Sequence, residues 1–132
     1  HLARQVAGEG LVHIQEAPGA AVGDAQDLGR GLEDRVELAL GAIGLAPRGG
    51  SAAMVCAGDF GPQGALPLNL HGGLLSYGHC GGAGGMAHAV EAVLQLGGRA
   101  GDRQARPATH ALVHGDGGVM SSHVSLVLTR EA

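Results

Sequence analysis

The second half of the chain carries the clearest alternation of hydrophobic and polar positions. In residues 84–96, apolar side chains recur at helical spacing along one face, at Met86, Val90, Val93 and Leu94. Polar side chains line another face of the same segment, at His88, Glu91 and Gln95. This pattern predicts an amphipathic helix, and the glycines at 97 and 98 predict where it ends.

Two segments after this helix have the pattern of β-strands. "THALVH" at 109–114 predicts one strand, and "SHVSLVLT" at 122–129 alternates regularly between apolar and polar residues. "GDGG" at 115–118 lies between them and predicts the turn of a β-hairpin, whereas "GRAGDRQARP" at 98–107 predicts a polar loop. The order of helix and strands indicates an α/β fold in which a sheet is backed by a helix.

The first half is patterned more weakly. An apolar stripe over residues 27–44 predicts a helix, although three glycines weaken it, and "GLVHIQ" at 10–15 predicts a short strand. We expect "AAMVCA" at 52–57 to be a short buried strand. "ALPLNL" at 65–70 should be extended, because Pro67 biases the residue before it away from helix.

Composition excludes several classes of protein. The net charge is −4 and the eight basic residues, all Arg, are scattered, which argues against nucleic-acid binding. No apolar run approaches the length of a membrane span, and we expect a cytoplasmic protein because the two cysteines form neither a zinc spacing nor a disulfide framework. The chain begins with His1 rather than Met, so we expect a fragment.

The glycine-rich stretch before the predicted helix has several possible functions. Gly82-x-Gly84-x-x-Ala87 fits a loose dinucleotide fingerprint, but chance matches are expected among 26 glycines. We expect no metal site, because His79 and Cys80 are adjacent and the other histidines lack the close pairing of zinc ligands.

Two histidines are candidates for acid–base chemistry. His79 lies where an extended segment enters a helix, whose positive end favours a neutral imidazole that can act as a base. The alternative is that His79 only caps this helix. His114 ends a predicted strand, where Asp116 could orient its ring, and the alternative is a polar residue at the mouth of a hairpin.

Taken in order, these motifs resemble the C-terminal end of the thiolase superfamily, and most closely its thiolase-like lipid-transfer (sterol-carrier-type) branch. The resemblance runs from about Leu66 to Thr129. It consists of "N-x-x-GG-x-x-x-x-GH" at 69–79, a glycine-rich turn, a helix, a "GDRQ" loop and a closing hairpin with "HGDGG". It implies the C-terminal half of a thiolase fold, a mixed β-sheet packed against helices, over residues 51–132. Residues 1–50 are then divergent, poorly ordered or read from a shifted frame.

The resemblance also implies a reaction. It suggests an acyltransferase of the acetyl-CoA acetyltransferase type, in which His79 activates a nucleophilic cysteine and His114 is a second acid/base. The residues that it places around the substrate are Asn69, Gly72, Gly73, Gly78 and Gly117. The substrate would be an acyl-coenzyme A thioester, with no further cofactor, and the whole protein would be a homodimer.

The chain departs from the family in ways that qualify this activity. The usual "GHP" is "GHC" here, the motif expected upstream of "GLAPRGG" at 44–50 is missing, and the part that carries the nucleophilic cysteine is absent. We therefore expect these residues alone to be inactive. Two other functions stay open: a retro-aldolase subunit that acts on steroid side-chain CoA esters with an OB-fold partner protein, and a non-catalytic binding fragment.

Overall fold

After a first strand, the chain forms helices and then a β-hairpin, which lies near its C-terminal end. The computed structural model describes residues 10–15, 38–73, 76, 78, 83–117 and 121–131. Its elements, in chain order, are β1 (Gly10–Gln15), α1 (Ser51–Ala57), α2 (Ala83–Leu96), a 3₁₀ turn (Gly101–Arg103), β2 (His110–Gly117) and β3 (Ser122–Thr129). In this part of the chain, neither α1 nor α2 has the length and hydrophobicity that a membrane span requires.

The three strands form one mixed sheet in the order β1-β2-β3. β1 runs parallel to β2, while β3 is antiparallel to β2. The predicted strands at 10–15 and 122–129 are confirmed, as is the α/β class. The predicted turn is placed wrongly, because β2 continues to Gly117, which pairs with Ser122. Three of the four "GDGG" residues therefore belong to a strand, since ladder pairing with β3 outweighs the weak strand preference of glycine.

Apolar clusters cover both faces of β2. Ala111 and Val113 pack in a cluster with Ala92 and Leu96 of α2, and the small alanines let the helix lie close to the sheet. Leu112, which points to the other face, packs in a cluster with two residues that precede α1 and one that follows it in the sequence: Leu40, Ala46 and Leu66. The sheet is thus the central layer between these two groups of residues.

Residues 52–57 differ most from expectation. They lie in helix α1 rather than in a buried strand, and α1 has no buried residue; Val55 is 62% exposed. Short apolar runs do not distinguish strand from helix, and alanine, which supplies three of the seven residues, favours helix. Gly58 ends α1 in the left-handed conformation, with φ 76°.

Two other predicted elements are seen in part. Residues 38–42 are helical, which agrees with the end of the helix predicted over 27–44, and residues 27–37 lie outside the described part of the chain. The 65–70 segment is not a strand of the sheet. Instead, the N–H groups of Leu66 and Leu68 donate to the carbonyls of Asp59 and Phe60, so the segment folds onto the preceding turn.

The predicted helix over 84–96 is confirmed, but its faces are used in an unexpected way. Its polar face is buried, with exposed fractions of 1–3% at His88, Glu91 and Gln95. Its apolar face is open to solvent, with exposed fractions of 49–64% at Met86, Val90 and Val93. Buried polar groups need hydrogen-bond partners to be stable there, and for Glu91 and Gln95 these come from the segment that follows the helix.

Candidate functional site

The five residues Asn69–Gly73 form a tight loop, which we call the NLHGG loop. Asn69, Gly72 and Gly73 have positive φ angles of 49°, 84° and 62°. Asparagine and glycine are the residues that adopt this left-handed region most readily. The Gly72 N–H donates to the carbonyl of Asn69 over 2.8 Å. A Cβ atom at Gly72 would overlap the side chain of Ser76, so glycine is required there by space as well as by backbone angle.

A buried carboxylate lies on the inner face of α2. Glu91 receives two hydrogen bonds from Arg103, at 3.3 Å from Nε and 3.0 Å from Nη2, and one of 3.0 Å from Gln95 Nε2. Burial by itself would raise the pKa of Glu91, but the hydrogen bonds from Arg103 and Gln95 and the charge of Arg103 hold this pKa below its usual value. The carboxylate is therefore ionised at neutral pH and paired.

Gln95 and Gln104 fasten the polar segment after α2 to the helix. Gln95 Nε2 donates to the carbonyl of Arg103 over 2.8 Å, and Gln95 Oε1 accepts from the Ala105 N–H over 2.9 Å. Gln104 Nε2 in turn donates to the carbonyl of Gln95 over 3.0 Å. Sequence reasoning identified "GDRQ" as a motif in a polar loop but missed this network. The four-residue spacing of Glu91 and Gln95 is the signal that could have indicated it.

Two histidines meet where the NLHGG loop rests on α2. The rings of His71 and His88 lie edge to face, with centroids 4.7 Å apart and an interplanar angle of 71°. Burial lowers the pKa of His71, a shift that Glu91 opposes. Burial, followed by the proximity of His71, lowers the pKa of His88 to about 4. Both rings are neutral at pH 7.

His114 lies on the other face of the sheet. Ala111 and Val113 pack toward α2, so alternation along β2 places His114 on the face of Leu112. His114 Nδ1 is 2.8 Å from the hydroxyl of Ser125 on β3, and its ring stacks on another β3 residue with centroids 5.6 Å apart. The side chain of Asp116 lies outside the described part, so its predicted role in orienting His114 stays a prediction.

The structure brings only some of the predicted substrate-binding residues together. Asn69, Gly72 and Gly73 share the NLHGG loop, and Gly78 follows with φ 81°. Gly117 is at the end of β2, paired with β3. His79, Cys80 and Gly82 lie outside the described residues. Within the described ranges no group of three or more His, Cys, Asp or Glu side chains is arranged to hold a metal ion.

The β2–β3 hairpin, α2 and the NLHGG loop belong to a thiolase-type domain. A family model described as "Thiolase C-terminal domain-like" matches residues 35–130, which is most of the chain, and the chain belongs to this family. The predicted domain boundary at residue 50 stays a prediction.

Among individual proteins, the chain is similar to sterol carrier protein 2 from human and from rat, with 45% identity over 73 residues in each case. It is also similar to the acetyl-CoA acetyltransferase of Methanothermobacter thermautotrophicus, with 43% identity over 65 residues. The two alignments cover 55% and 47% of this chain but only 13% and 17% of the relatives. The chain therefore corresponds to a small part of the length of these relatives.

Proposed function

We propose that this chain is the C-terminal part of a thiolase-like acyltransferase that acts on acyl-coenzyme A thioesters. The observation that carries the proposal is the NLHGG loop, whose left-handed residues Asn69, Gly72 and Gly73 occur in a chain of the thiolase C-terminal family. The acetyl-CoA acetyltransferase relative supports acyl transfer as the reaction. Coenzyme A would enter as part of the substrate, and no further cofactor is needed.

In this proposal His79 is the base that activates the nucleophile. It precedes the first residue of α2, Ala83, by four positions, and we expect the positive end of the helix to favour the neutral ring. His79 would remove the proton from a cysteine thiol elsewhere in the longer protein. The thiolate would attack the thioester carbonyl, and the coenzyme A thiolate would leave.

His114 is proposed as the second acid/base, which exchanges a proton with the α-carbon of the acyl group. Its hydrogen bond with Ser125 fixes the plane of the ring, which is what a proton-transfer group needs. Reaching the substrate would require that the substrate, or the other part of the protein, approach the sheet at the end of β2.

The exposed apolar face of α2 supports a role as one part of a larger protein. Met86, Val90 and Val93 are spaced four and three residues apart and are each about half exposed or more. Apolar side chains in one contiguous stripe favour burial against a partner surface. We propose that the remainder of a thiolase-like protein covers this face and supplies the nucleophile.

A chimera tests the proposed activity. Residues 66–129 would replace the matching segment of the Methanothermobacter acetyl-CoA acetyltransferase, and thiolysis would be followed by the loss of acetoacetyl-CoA absorbance in the presence of coenzyme A. We expect turnover that His79→Ala abolishes and that Cys80→Ala preserves. A well-folded chimera in which His79→Ala keeps full activity would contradict the proposed base.

The isolated chain provides the matching control. Without a nucleophilic cysteine partner it should not cleave acetoacetyl-CoA, at any concentration at which it stays monomeric. Turnover by the isolated chain that survives Cys80→Ala but not His79→Ala would show that these 132 residues contain a nucleophile other than Cys80.

A further inference from the structure

The NLHGG loop contacts α2 through a histidine side chain rather than an apolar one. His71 is the central residue of the loop, and its ring packs edge to face on His88, which is 1% exposed on α2. The pair is thus a direct contact between the loop and the helix.

His71 also forms part of the loop itself. The N–H of Gly73 donates to His71 Nδ1 in a long hydrogen bond of 3.4 Å. A ring nitrogen accepts a hydrogen bond only when it carries no proton. Gly73 is buried and has a left-handed backbone, so this bond occupies an N–H group that water does not reach easily. Protonating His71 at Nδ1 would remove the acceptor.

Burial is the main reason that both rings are neutral near pH 7. Burial lowers the pKa of His71, the carboxylate of Glu91 and the Asn69 backbone raise it, and Arg103 lowers it again. Glu91 is already held by Arg103 and Gln95, so its charge is largely compensated. For His88, burial and the neighbouring His71 act in the same direction.

We propose that His71 and His88 are a positioning pair that fixes the NLHGG loop, and with it Asn69, on the first half of α2. Neither ring needs to touch substrate. His71 accepts a hydrogen bond from the Gly73 N–H and packs on His88, and the ring of His88 is held in place by the helix. The inference deepens the proposed function, because a loop released by acid would lose the geometry of Asn69, Gly72 and Gly73 while the fold remained.

The test follows the Gly73 amide by ¹H–¹⁵N NMR on the isolated chain, without substrate, from pH 8 to pH 5. In the unchanged protein we expect the Gly73 shift to move with the titration of His71, with a midpoint below 6.5. In His71→Asn the side-chain oxygen can accept from the same N–H without titrating, so the Gly73 shift should stay constant. A Gly73 amide that does not titrate in the unchanged protein, or that titrates identically in His71→Asn, would overturn the proposal.

Two further variants separate positioning from general acid sensitivity. His88→Gln removes the ring that packs on His71 and admits water to His71, so the midpoint of the Gly73 transition should move up toward 6.5. An unchanged midpoint would show that His88 does not act on the loop through His71. His110→Asn removes a histidine that bonds to Thr109 at the start of β2, and it should leave the transition unchanged. Since the readout needs no turnover, a failure of the proposed acyltransferase activity would leave these results intact.

Discussion

Acid should destabilise this protein well above the pH at which carboxylates titrate, and His88 should be the main cause. The ring is 1% exposed, and burial followed by the proximity of His71 lowers its pKa to about 4, against 6.5 in the unfolded chain. A group whose pKa is lower in the folded state stabilises the fold fully only above 6.5. That stabilisation is lost as the pH falls from 6.5 toward 4, because only the unfolded chain takes up the proton.

The magnitude follows from the two pKa values. At pH 5 the pH is about 1.5 units below the pKa of the unfolded ring but still above the pKa of the folded ring. At about 1.4 kcal/mol per unit, the loss in the free energy of unfolding is about 2 kcal/mol. The lowered pKa of His71 adds to the loss in the same direction. Glu91 does not interfere, because its pKa lies below 4.5 and its stabilisation is therefore constant between pH 7 and pH 5.

Urea denaturation followed by far-UV circular dichroism measures this loss, since the chain has no Trp to report by fluorescence. The free energy of unfolding of the unchanged protein and of His88→Gln would be compared at pH 7, 6 and 5. Glutamine is polar but does not titrate, so the variant should lose about 2 kcal/mol less than the unchanged protein across this range. Equal losses in the two proteins would refute the assignment of the acid sensitivity to His88.

Four other substitutions have defined outcomes. Gly64→Ala places a Cβ on the backbone carbonyl of Asp59 and should cost about 1–3 kcal/mol in urea denaturation, whereas Gly41→Ala, which meets nothing within 4 Å, should be neutral or stabilising. Glu91→Gln should cost about 1–3 kcal/mol at pH 6, and the difference from the unchanged protein should shrink at pH 3.5, because the lowered pKa makes the carboxylate stabilising only when ionised. Val90 lies on the exposed face of α2, so Val90→Ser should reduce self-association in light scattering with little change in the free energy of unfolding. A lower free energy of unfolding with unchanged self-association would contradict the exposure of this face.

The local pattern of apolar and polar residues was sufficient to predict an element whose structure is decided by its own residues. The bounds of α2 followed from its apolar spacing and its glycine stop, and β3 followed from alternation over eight residues. Pattern failed at α1, because six apolar residues in a row are compatible with a strand or a helix. It also failed at the end of β2, where pairing with β3 rather than local preference decides that Gly115 and Gly117 are extended.

The site was predicted as a set of motifs but not as an arrangement. The resemblance assigned Asn69, Gly72 and Gly73 to the substrate, but no loop at Asn69–Gly73 was predicted; its left-handed angles agree with those residue types. The support beneath the loop was not predictable in the same way. Arg103 reaches Glu91 across twelve positions, and only the folded chain shows that the polar segment after the helix bonds to Glu91 and Gln95.

The buried polar face and the exposed apolar face of α2 make different kinds of contact. Its buried polar face fixes the segment that contains Gln104 through Gln95 and contacts the NLHGG loop through His88, so both segments are aligned on the same rigid element. The hydrogen bonds of Gln95 are directional, so they specify the position of this segment more narrowly than an apolar contact of equal area would. The apolar side chains are thereby left on the opposite face, where non-directional burial against a partner surface is sufficient. In the proposed function, the loop near the substrate and the surface that meets the rest of the protein would therefore lie on opposite sides of α2.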